Sequence, residues 1–242
     1  RQPYEMHAAR PANYPLSHRF DEGDCMLVCE NVKIPWERVF LHNDGAQSRQ
    51  IYIDTPANCY ANHQSNVRFW AKMGLMVGLA SRACLANGID QIPAVRDILG
   101  RLAALEATVG GLVAGQNEAW EAWPESPDGY ATHNRRIMYA TLNWCQEHHT
   151  EIVDIVRDLM GAAPLQMPAS TDILDDPELS ARFDEWWATP TMDARQRMKL
   201  YKLGWDLTGS EFAGRHQLYE KFYAGSSLIV RNSCHREAPW DH

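Results

Sequence analysis

The chain has 242 residues, of which 45% are hydrophobic and 22% charged, and 31 acidic against 23 basic side chains give a formal net charge of −8 at pH 7. This length allows a large core, and nine Trp, nine Tyr and six Phe exclude a disordered acidic chain. The acidic balance, with no Lys/Arg run, excludes a protein that binds the phosphate backbone of nucleic acid.

Six widely spaced cysteines are typical of reduced, buried thiols rather than of a disulfide framework. Only Cys25 and Cys29 are close, and without a second Cys or His pair they predict no metal site. No uninterrupted apolar run reaches the length that spans a bilayer, so we predict a soluble protein without a membrane partner. The reduced thiols predict a cytoplasmic location. The chain opens at Arg1 with no signal-peptide pattern, and we expect residues to precede it.

Residues 1–55 are rich in Pro, Gly, Asn and Asp and contain one strand pattern, from Cys25 to Pro35. Residues 26–29 are apolar, and Val32 and Ile34 then alternate with polar neighbours. This segment therefore predicts the last strands of a β-domain, which we place at residues 1–55.

The pattern becomes helical from about Thr55 onward. Long apolar stripes joined by short loops predict an antiparallel four-helix bundle over residues 56–225, with a C-terminal tail at 226–242. Helices of this length often continue their packing into a second subunit, so we predict a homo-oligomer, a dimer or a tetramer. The predicted helices run from Ala57 to Asn87, from Pro93 onward, from the Asn134 cap to Gly161, from Pro177 to Trp187, and from Asp193 to Tyr223.

The most informative segment lies inside the last predicted helix, at Asp206–Arg215 (DLTGSEFAGR). Small and hydroxylated residues are concentrated where a bundle helix usually has Leu, Ala or Lys, which lowers helix propensity. Gly209 and Gly214 would let a ligand or another backbone approach, while Thr208 and Ser210 offer hydroxyl groups. The glycines could equally serve only a kink or a tight helix crossing, and composition alone leaves both readings open.

The whole segment Leu200–Gly225 resembles the C-terminal flavin motif of the 4-hydroxyphenylacetate 3-hydroxylase family, the oxygenase components of two-component flavin monooxygenases. Tyr14–Glu22 and Val32–Phe40 are similar to the same family, and Asp175–Leu179 falls where its members carry a similar segment. The resemblance implies the acyl-CoA dehydrogenase fold: a helical domain, a middle β-domain and a C-terminal bundle. This chain would cover the end of the β-domain and the bundle, about half of a member.

The resemblance also implies a function. A separate flavin reductase would supply reduced FAD (FADH2), which reacts with dioxygen so that one oxygen atom is placed ortho to the hydroxyl of a phenolic substrate. The motif carries flavin contacts onto Thr208, Gly209, Ser210 and Glu211, with Arg215 close to the pyrophosphate. From the residues alone, Arg215 would instead pair with Glu211 one helical turn away. Catalytic residues stay unassigned, since the phenol contacts would lie in a part that this chain does not include.

Two departures leave alternatives open. Many aromatic hydroxylases of the family continue with Asp-Pro where this chain has Ser226-Ser227, which leaves the substrate open. A related branch acts on hydroxyacyl-CoA with an iron-sulfur cluster; His63 aligns with its histidine, but Trp70 replaces a cysteine ligand, so we expect no cluster. The alternatives are an acyl-CoA-directed flavoenzyme of the same fold, either a dehydrogenase or a dehydratase/isomerase, and a non-catalytic helical assembly domain.

Three further features have a functional and a structural interpretation. His63 could touch flavin or substrate, or be a core or interface histidine. Of His148 and His149, one falls on the apolar face and predicts a buried structural histidine. The acidic cluster in residues 21–24 (DEGD) could act as acid or base, but the nearby Arg19 favours an ion-paired turn.

Overall fold

The computed structural model describes residues 10–21, 25–123 and 129–240. Within these ranges the chain is mainly helical, and its only strand pair is a short antiparallel hairpin. The helices are α1 (Ser17–Phe20), α2 (Gly45–Gln50), α3 (Ala57–Ala86), α4 (Pro93–Glu118), α5 (Arg135–Met160), α6 (Ala163–Gln166), α7 (Pro177–Trp187), α8 (Ala194–Thr208), α9 (Glu211–Phe222) and α10 (Ser227–Arg236); the strands are β1 (Glu121–Ala122) and β2 (Ala131–Thr132); 3-10 turns lie at Pro11–Asn13, Trp36–Arg38 and Thr171–Leu174.

The long helices begin and end where local chemistry favours it. The Asn134 side chain accepts a hydrogen bond from the backbone N–H of Ile137 at the start of α5, and Gly161 ends that helix with a φ of 61°. Pro93 occupies the first turn of α4, where its missing N–H costs nothing. These bounds confirm the predicted start of α4 and both predicted ends of α5.

The four bundle helices alternate in direction. His63 in α3 contacts Gln116 at the end of α4, whereas Trp70, further along α3, donates to Glu106, so α3 and α4 are antiparallel. The helices α8 and α9 together form the fourth member and also run against α3. The bundle predicted from the sequence is therefore confirmed. Its core is made of long apolar side chains, among them Phe69, Met73, Met76, Leu102, Val109, Ile152, Val156, Met160 and Tyr201.

The strand pattern at residues 25–35 was wrong as a local prediction, because this segment forms no strand. Met26 and Leu27 are 88% and 83% exposed. A strand needs a neighbour that satisfies its backbone groups, and within the described residues nothing pairs with this one. The strand pair that does form joins Glu121 with Thr132, and residues 124–128 of the intervening loop lie outside the described ranges. The domain boundary near residue 55 stays a prediction.

The last predicted helix, Asp193–Tyr223, is two helices rather than one. The chain breaks at Gly209 and Ser210, and the Ser210 hydroxyl accepts from the N–H of Ala213 to begin α9. The predicted tail contains α10, which packs against α5 through the buried Val230. The break depends on a helix cap and α10 depends on burial against α5. Helical periodicity in the sequence predicts neither of them.

The helix α4 is unusually apolar for its exposure. It is long and apolar enough to cross a bilayer by length and composition, with a mean hydropathy of 1.4 over an 18-residue window of which 17% is buried. Scattered charges divide the helix, so it contains no long uninterrupted apolar run. One such helix is weak evidence for a span, since core helices of soluble proteins meet the same test.

Candidate functional site

One buried carboxylate near the end of α8 connects the break between α8 and α9 to residues 16–17. Asp206 is fully buried and accepts hydrogen bonds from the backbone N–H groups of Leu16 at 2.7 Å and Ser17 at 2.8 Å. The Ser17 hydroxyl donates to its second oxygen. Hydrogen bonds to an ionised group are stronger than neutral ones, so this contact fixes α1 against the break.

A second ion pair holds the same two segments together. Arg215 donates two hydrogen bonds to Asp21, one of them at 2.9 Å between Nη1 and Oδ1. The predicted pairing with Glu211 is looser, at 3.8 Å. Among the described residues, Asp21 therefore pairs with Arg215 rather than with Arg19, whose guanidinium lies 5.9 Å from the Phe20 ring centroid. The remaining acidic cluster, residues 22–24, lies outside the described ranges.

The two hydroxyl groups of the predicted motif are used inside the chain. Thr208 donates to the carbonyl of Gly204 at 2.8 Å, and Ser210 donates to the carbonyl of Asp206 at 2.8 Å. Both side chains are buried, and Arg157 donates to the Thr208 carbonyl at the end of α8. These hydroxyls therefore set the shape of the break.

The glycines are the exposed part of the motif. Gly209 and Gly214 are both exposed, and a Cβ added at Gly214 would meet no atom within 4 Å. A Cβ at Gly209 would lie 2.9 Å from the indole ring of Trp205, which is 37% exposed. Only glycine allows this ring to lie flat against the backbone at the break. We call Trp205, Gly209 and Gly214, which are exposed, together with the partly buried Glu211 and Arg215, the kink surface.

A cleft of about 210 Å³ lies beside the kink surface, between the 3-10 turn at Pro11–Asn13 and α8. Lys202 reaches into its wall and donates to the carbonyl of Ala169, and burial lowers the pKa of the lysine. The cleft is lined by Asn13, Tyr14, Pro164, Leu165, Met167, Ala169, Tyr201, Lys202 and Trp205.

A buried charge cluster joins α9 to α3, one turn beyond the kink surface. The Glu220 carboxylate, 3% exposed, accepts from both Arg68 and Lys72. The Lys72 Nζ also lies 3.3 Å from Nδ1 of His216. Burial alone would raise the pKa of Glu220, but the charges of Lys72 and Arg68 outweigh it and lower that pKa.

Two histidines beside this cluster are held neutral. Burial lowers the pKa of His149 and of His216 to about 4, and the positive charge of Lys72 adds to the effect. His149 is 4% exposed, and its Nε2 has no hydrogen-bond partner among the described residues. The predicted buried structural histidine is thus His149, whereas His148 stacks on Trp144 at 4.2 Å.

The sequence matches one family along almost its whole length. The model for the "4-hydroxyphenylacetate 3-hydroxylase C terminal" matches residues 48–242, and the corresponding N-terminal model matches residues 1–41. The chain belongs to the 4-hydroxyphenylacetate 3-hydroxylase family. The resemblance read from the kink motif and from the first 40 residues is confirmed.

The curated relatives include proteins named as oxygenase components. The chain is 34% identical over 236 residues to the pyoverdin chromophore biosynthetic protein PvcC of Pseudomonas aeruginosa, covering 96% of this chain and 46% of that protein. It is 31% identical over 245 residues to the 4-hydroxyphenylacetate 3-monooxygenase oxygenase component of Escherichia coli, covering 98% and 46%. The chain thus spans about half the length of these curated relatives.

Solved structures agree on the fold. The chain superposes on the oxygenase component HpaB complexed with FAD and 4-hydroxyphenylacetate with a TM-score of 0.89 at 22% identity, covering 98% of this chain and 49% of that one. An archaeal 4-hydroxybutyryl-CoA dehydratase from N. maritimus superposes with a TM-score of 0.73 at 19% identity, covering 84% and 39%. At these identities the likeness shows the fold alone, the acyl-CoA dehydrogenase type.

His63, the residue that aligned with a cluster ligand of the family's dehydratase branch, has internal partners. Its Nδ1 lies 2.9 Å from Oε1 of Gln116, and its ring stacks on His133 with centroids 3.5 Å apart. Trp70, at the position of the expected cysteine, donates its indole N–H to Glu106 at 2.6 Å. The contacts of His63 favour a structural role at this end of the bundle.

Sequence reasoning missed Asp206 and the Glu220 cluster. Asp206 was read only as the edge of a motif, because its partners lie about 190 residues earlier in the chain. The spacing of Arg68 and Lys72 could have predicted the cluster. The two cations lie four residues apart on one face of α3, and their neighbours on that face are buried. Two cations at that spacing call for a buried carboxylate on the facing helix.

Proposed function

We propose that the full-length protein is a flavin-dependent aromatic hydroxylase that uses FADH2 and dioxygen, and that this chain is its C-terminal, FAD-contacting and oligomer-forming part. The observation that carries the proposal is similarity to oxygenase components over almost the entire chain, including the kink motif. Its partners would be a flavin reductase, a phenolic substrate and further copies of itself. A reducing cytoplasm suits the six cysteines, all of them free thiols.

The kink surface suits one part of an FAD molecule. Gly209 presents backbone without a side chain beside the Trp205 ring, and the N-terminus of α9 carries the partial positive charge that attracts a pyrophosphate. Thr208 and Ser210 would act by shaping the break, because their hydroxyls are already bonded. Glu211 would contact the cofactor beside them. Arg215 would contribute less net charge than an unpaired arginine, because Asp21 balances it.

When bound, reduced FAD supplies the electrons and the oxygen chemistry. The part of this chain is to bind the cofactor, orient it and exclude water from its surroundings. The Asp206 contacts with α1 and the Arg215–Asp21 pair serve that purpose by fixing the first segment of the chain against the kink surface.

The cofactor contact is tested with Gly209→Leu in the full-length protein. A side chain there must displace the Trp205 ring and cover the exposed backbone, so we expect FAD binding to weaken at least about tenfold, a loss of about 1.4 kcal/mol. Gly74→Leu is the matched control, since Gly74 is an exposed helical glycine with no atom within 4 Å of an added Cβ. Equal FAD affinity in both variants, measured by fluorescence titration, would remove the kink surface from the cofactor site.

The activity is tested by supplying reduced FAD and a panel of phenols to the full-length protein. A hydroxylase consumes oxygen and forms a catechol, whereas an acyl-CoA-directed flavoenzyme reduces bound flavin anaerobically when given an acyl-CoA. A purely structural assembly domain would retain no flavin and remain a stable oligomer. Either of the last two results would overturn the proposal.

A further inference from the structure

The cleft beside the kink surface contains a buried cation that no described carboxylate neutralises. Lys202 is 7% exposed, and its Nζ donates to the carbonyl of Ala169. Burial lowers the pKa of this lysine and is the only influence on it, whereas a nearby carboxylate would raise that pKa. Asp206 lies one helical turn further along α8, but its oxygens accept from Leu16 and Ser17. Within the described chain the charge of Lys202 is therefore uncompensated.

Another lysine with little exposure shows how such a charge is normally compensated. The Lys72 side chain is 15% exposed, and the Glu220 carboxylate accepts from it. Taking an ionised ammonium out of water without a partner is costly, and an ammonium carries three N–H donors. The Ala169 carbonyl accepts from one of those of Lys202. The donors that remain suit the oxygen atoms of an anion.

The rest of the cleft wall favours an apolar body on that anion. Pro164, Leu165 and Met167 line the cleft with apolar surface, and the Trp205 ring, 37% exposed, lies beside them. An indole offers a flat face on which an aromatic ring can stack. At about 210 Å³ the cleft is smaller than the ~300–1,000 Å³ of pockets that hold drug-sized ligands. A single ring with a short acid group therefore suits this space.

Two polar side chains of the wall are already bonded within the chain. The Asn13 Oδ1 accepts from the backbone N–H of Thr171 at 2.9 Å. The Tyr201 hydroxyl donates to Oδ1 of Asn87 at 2.7 Å. These contacts hold the shape of the cleft, and the charge of Lys202 is left to set the orientation of a ligand.

We propose that the cleft binds a small aromatic carboxylate, with the carboxylate oxygens at Lys202 and the ring against Trp205. Inorganic phosphate would satisfy the lysine but leave the apolar wall in water, and a neutral ring would leave the charge uncompensated. Within the described lining, Trp205 alone also belongs to the kink surface. The site is therefore separate from the proposed cofactor contact, and the inference does not rest on the proposed function.

Calorimetric titration of the full-length protein tests the chemistry of the site with three probes. Benzoate combines the charge with the ring, benzamide keeps the ring without the charge, and acetate keeps the charge without the ring. We expect benzoate to bind at least about tenfold more tightly than either of the other two. Benzamide or acetate binding as tightly as benzoate would overturn the proposal, and so would the absence of benzoate binding up to about 10 mM.

Two variants with matched controls locate the binding. Lys202→Met removes the charge and should weaken benzoate binding at least about tenfold, whereas Lys199→Met, at an exposed position of the same helix, should leave it unchanged. Leu165→Glu adds a negative charge to the lining at a position that is 78% exposed, so it should repel benzoate without disturbing the fold. Gln166→Glu adds the same charge at the next exposed position, outside the lining, and should have little effect.

Titration with FAD separates this site from the proposed cofactor contact. Benzoate and FAD should bind at the same time, and Lys202→Met should keep the FAD affinity of the parent protein. Competition between the two ligands, with FAD binding weakened in Lys202→Met, would assign the cleft to the cofactor and overturn a separate site. Benzoate binding that persists in both Lys202→Met and Leu165→Glu would overturn the proposal as well. A protein that binds benzoate through Lys202 but no FAD would support this site and refute the proposed function.

Discussion

Replacing Glu220 by glutamine removes the only negative charge in the described part of the Arg68–Lys72 cluster. The amide keeps the size of the side chain, but the two cations then lose the carboxylate that both of them contact. Burial lowers the pKa of Lys72, whereas the charge of Glu220 and its hydrogen bond raise that pKa, so Glu220 favours the charged form of the lysine. We therefore expect Glu220→Gln to destabilise the bundle through uncompensated charge.

The loss can be estimated from burial. Removing one partner of a buried ion pair costs about 3–5 kcal/mol. We expect the lower end, about 3 kcal/mol, because the Arg68 side chain is 23% exposed and regains some hydration, whereas Glu220 and Lys72 are 3% and 15% exposed. For a protein of this size each kcal/mol lowers the Tm by about 2–4 °C, so the expected decrease is about 6–12 °C.

Thermal unfolding at pH 7.5, followed by circular dichroism, measures this decrease. Glu178→Gln is the matched control, because Glu178 makes an exposed pair with Arg182 on one face of α7 at 2.7 Å and should change stability by less than about 0.5 kcal/mol. Adding Lys72→Met to Glu220→Gln should recover part of the loss by removing a buried charge. Equal Tm values for Glu220→Gln and Glu178→Gln would refute the reasoning.

Two further predictions concern the site and the pH dependence. Asp206→Asn keeps the shape but loses the charge that holds residues 16–17, so amide exchange in residues 16–21 should accelerate; unchanged exchange would contradict the fastening role. Unfolded His149 takes up a proton below about pH 6.5, but folded His149 does so only near pH 4, so stability falls as the pH drops through this window, by up to about 3 kcal/mol. His149→Gln should flatten the dependence of Tm on pH between 6.5 and 4, and an unaltered slope would show that other groups cause it.

Local sequence signals located the helices well. Pro93, Asn134 and Gly161 act through their own backbone geometry within a few residues, so the bounds that they predict agree with the structure. The strand pattern at residues 25–35 failed for the opposite reason. A strand is stabilised by a neighbour, and alternation of apolar residues carries no information about whether that neighbour is present.

The sequence marked the segment around Gly209 as a candidate site but did not predict its contacts. Glycines and hydroxyls marked the segment around Gly209 because they depart from helix propensity. The same composition gave no sign that Ser210 caps a new helix, or that its hydroxyl and that of Thr208 bond inside the chain. Side-chain hydrogen bonds of Ser and Thr compete with the helix, and only packing decides which of the two forms.

The sequence by itself determined the family and the four-helix bundle, because helical periodicity, caps and motif spacing are properties of neighbouring residues. Tertiary structure alone decided which groups meet: Asp206 with Ser17, Arg215 with Asp21, and Glu220 with the cations of α3. These contacts join residues 148 to 194 positions apart. Their energies come from burial and from charges brought together, which no local pattern encodes.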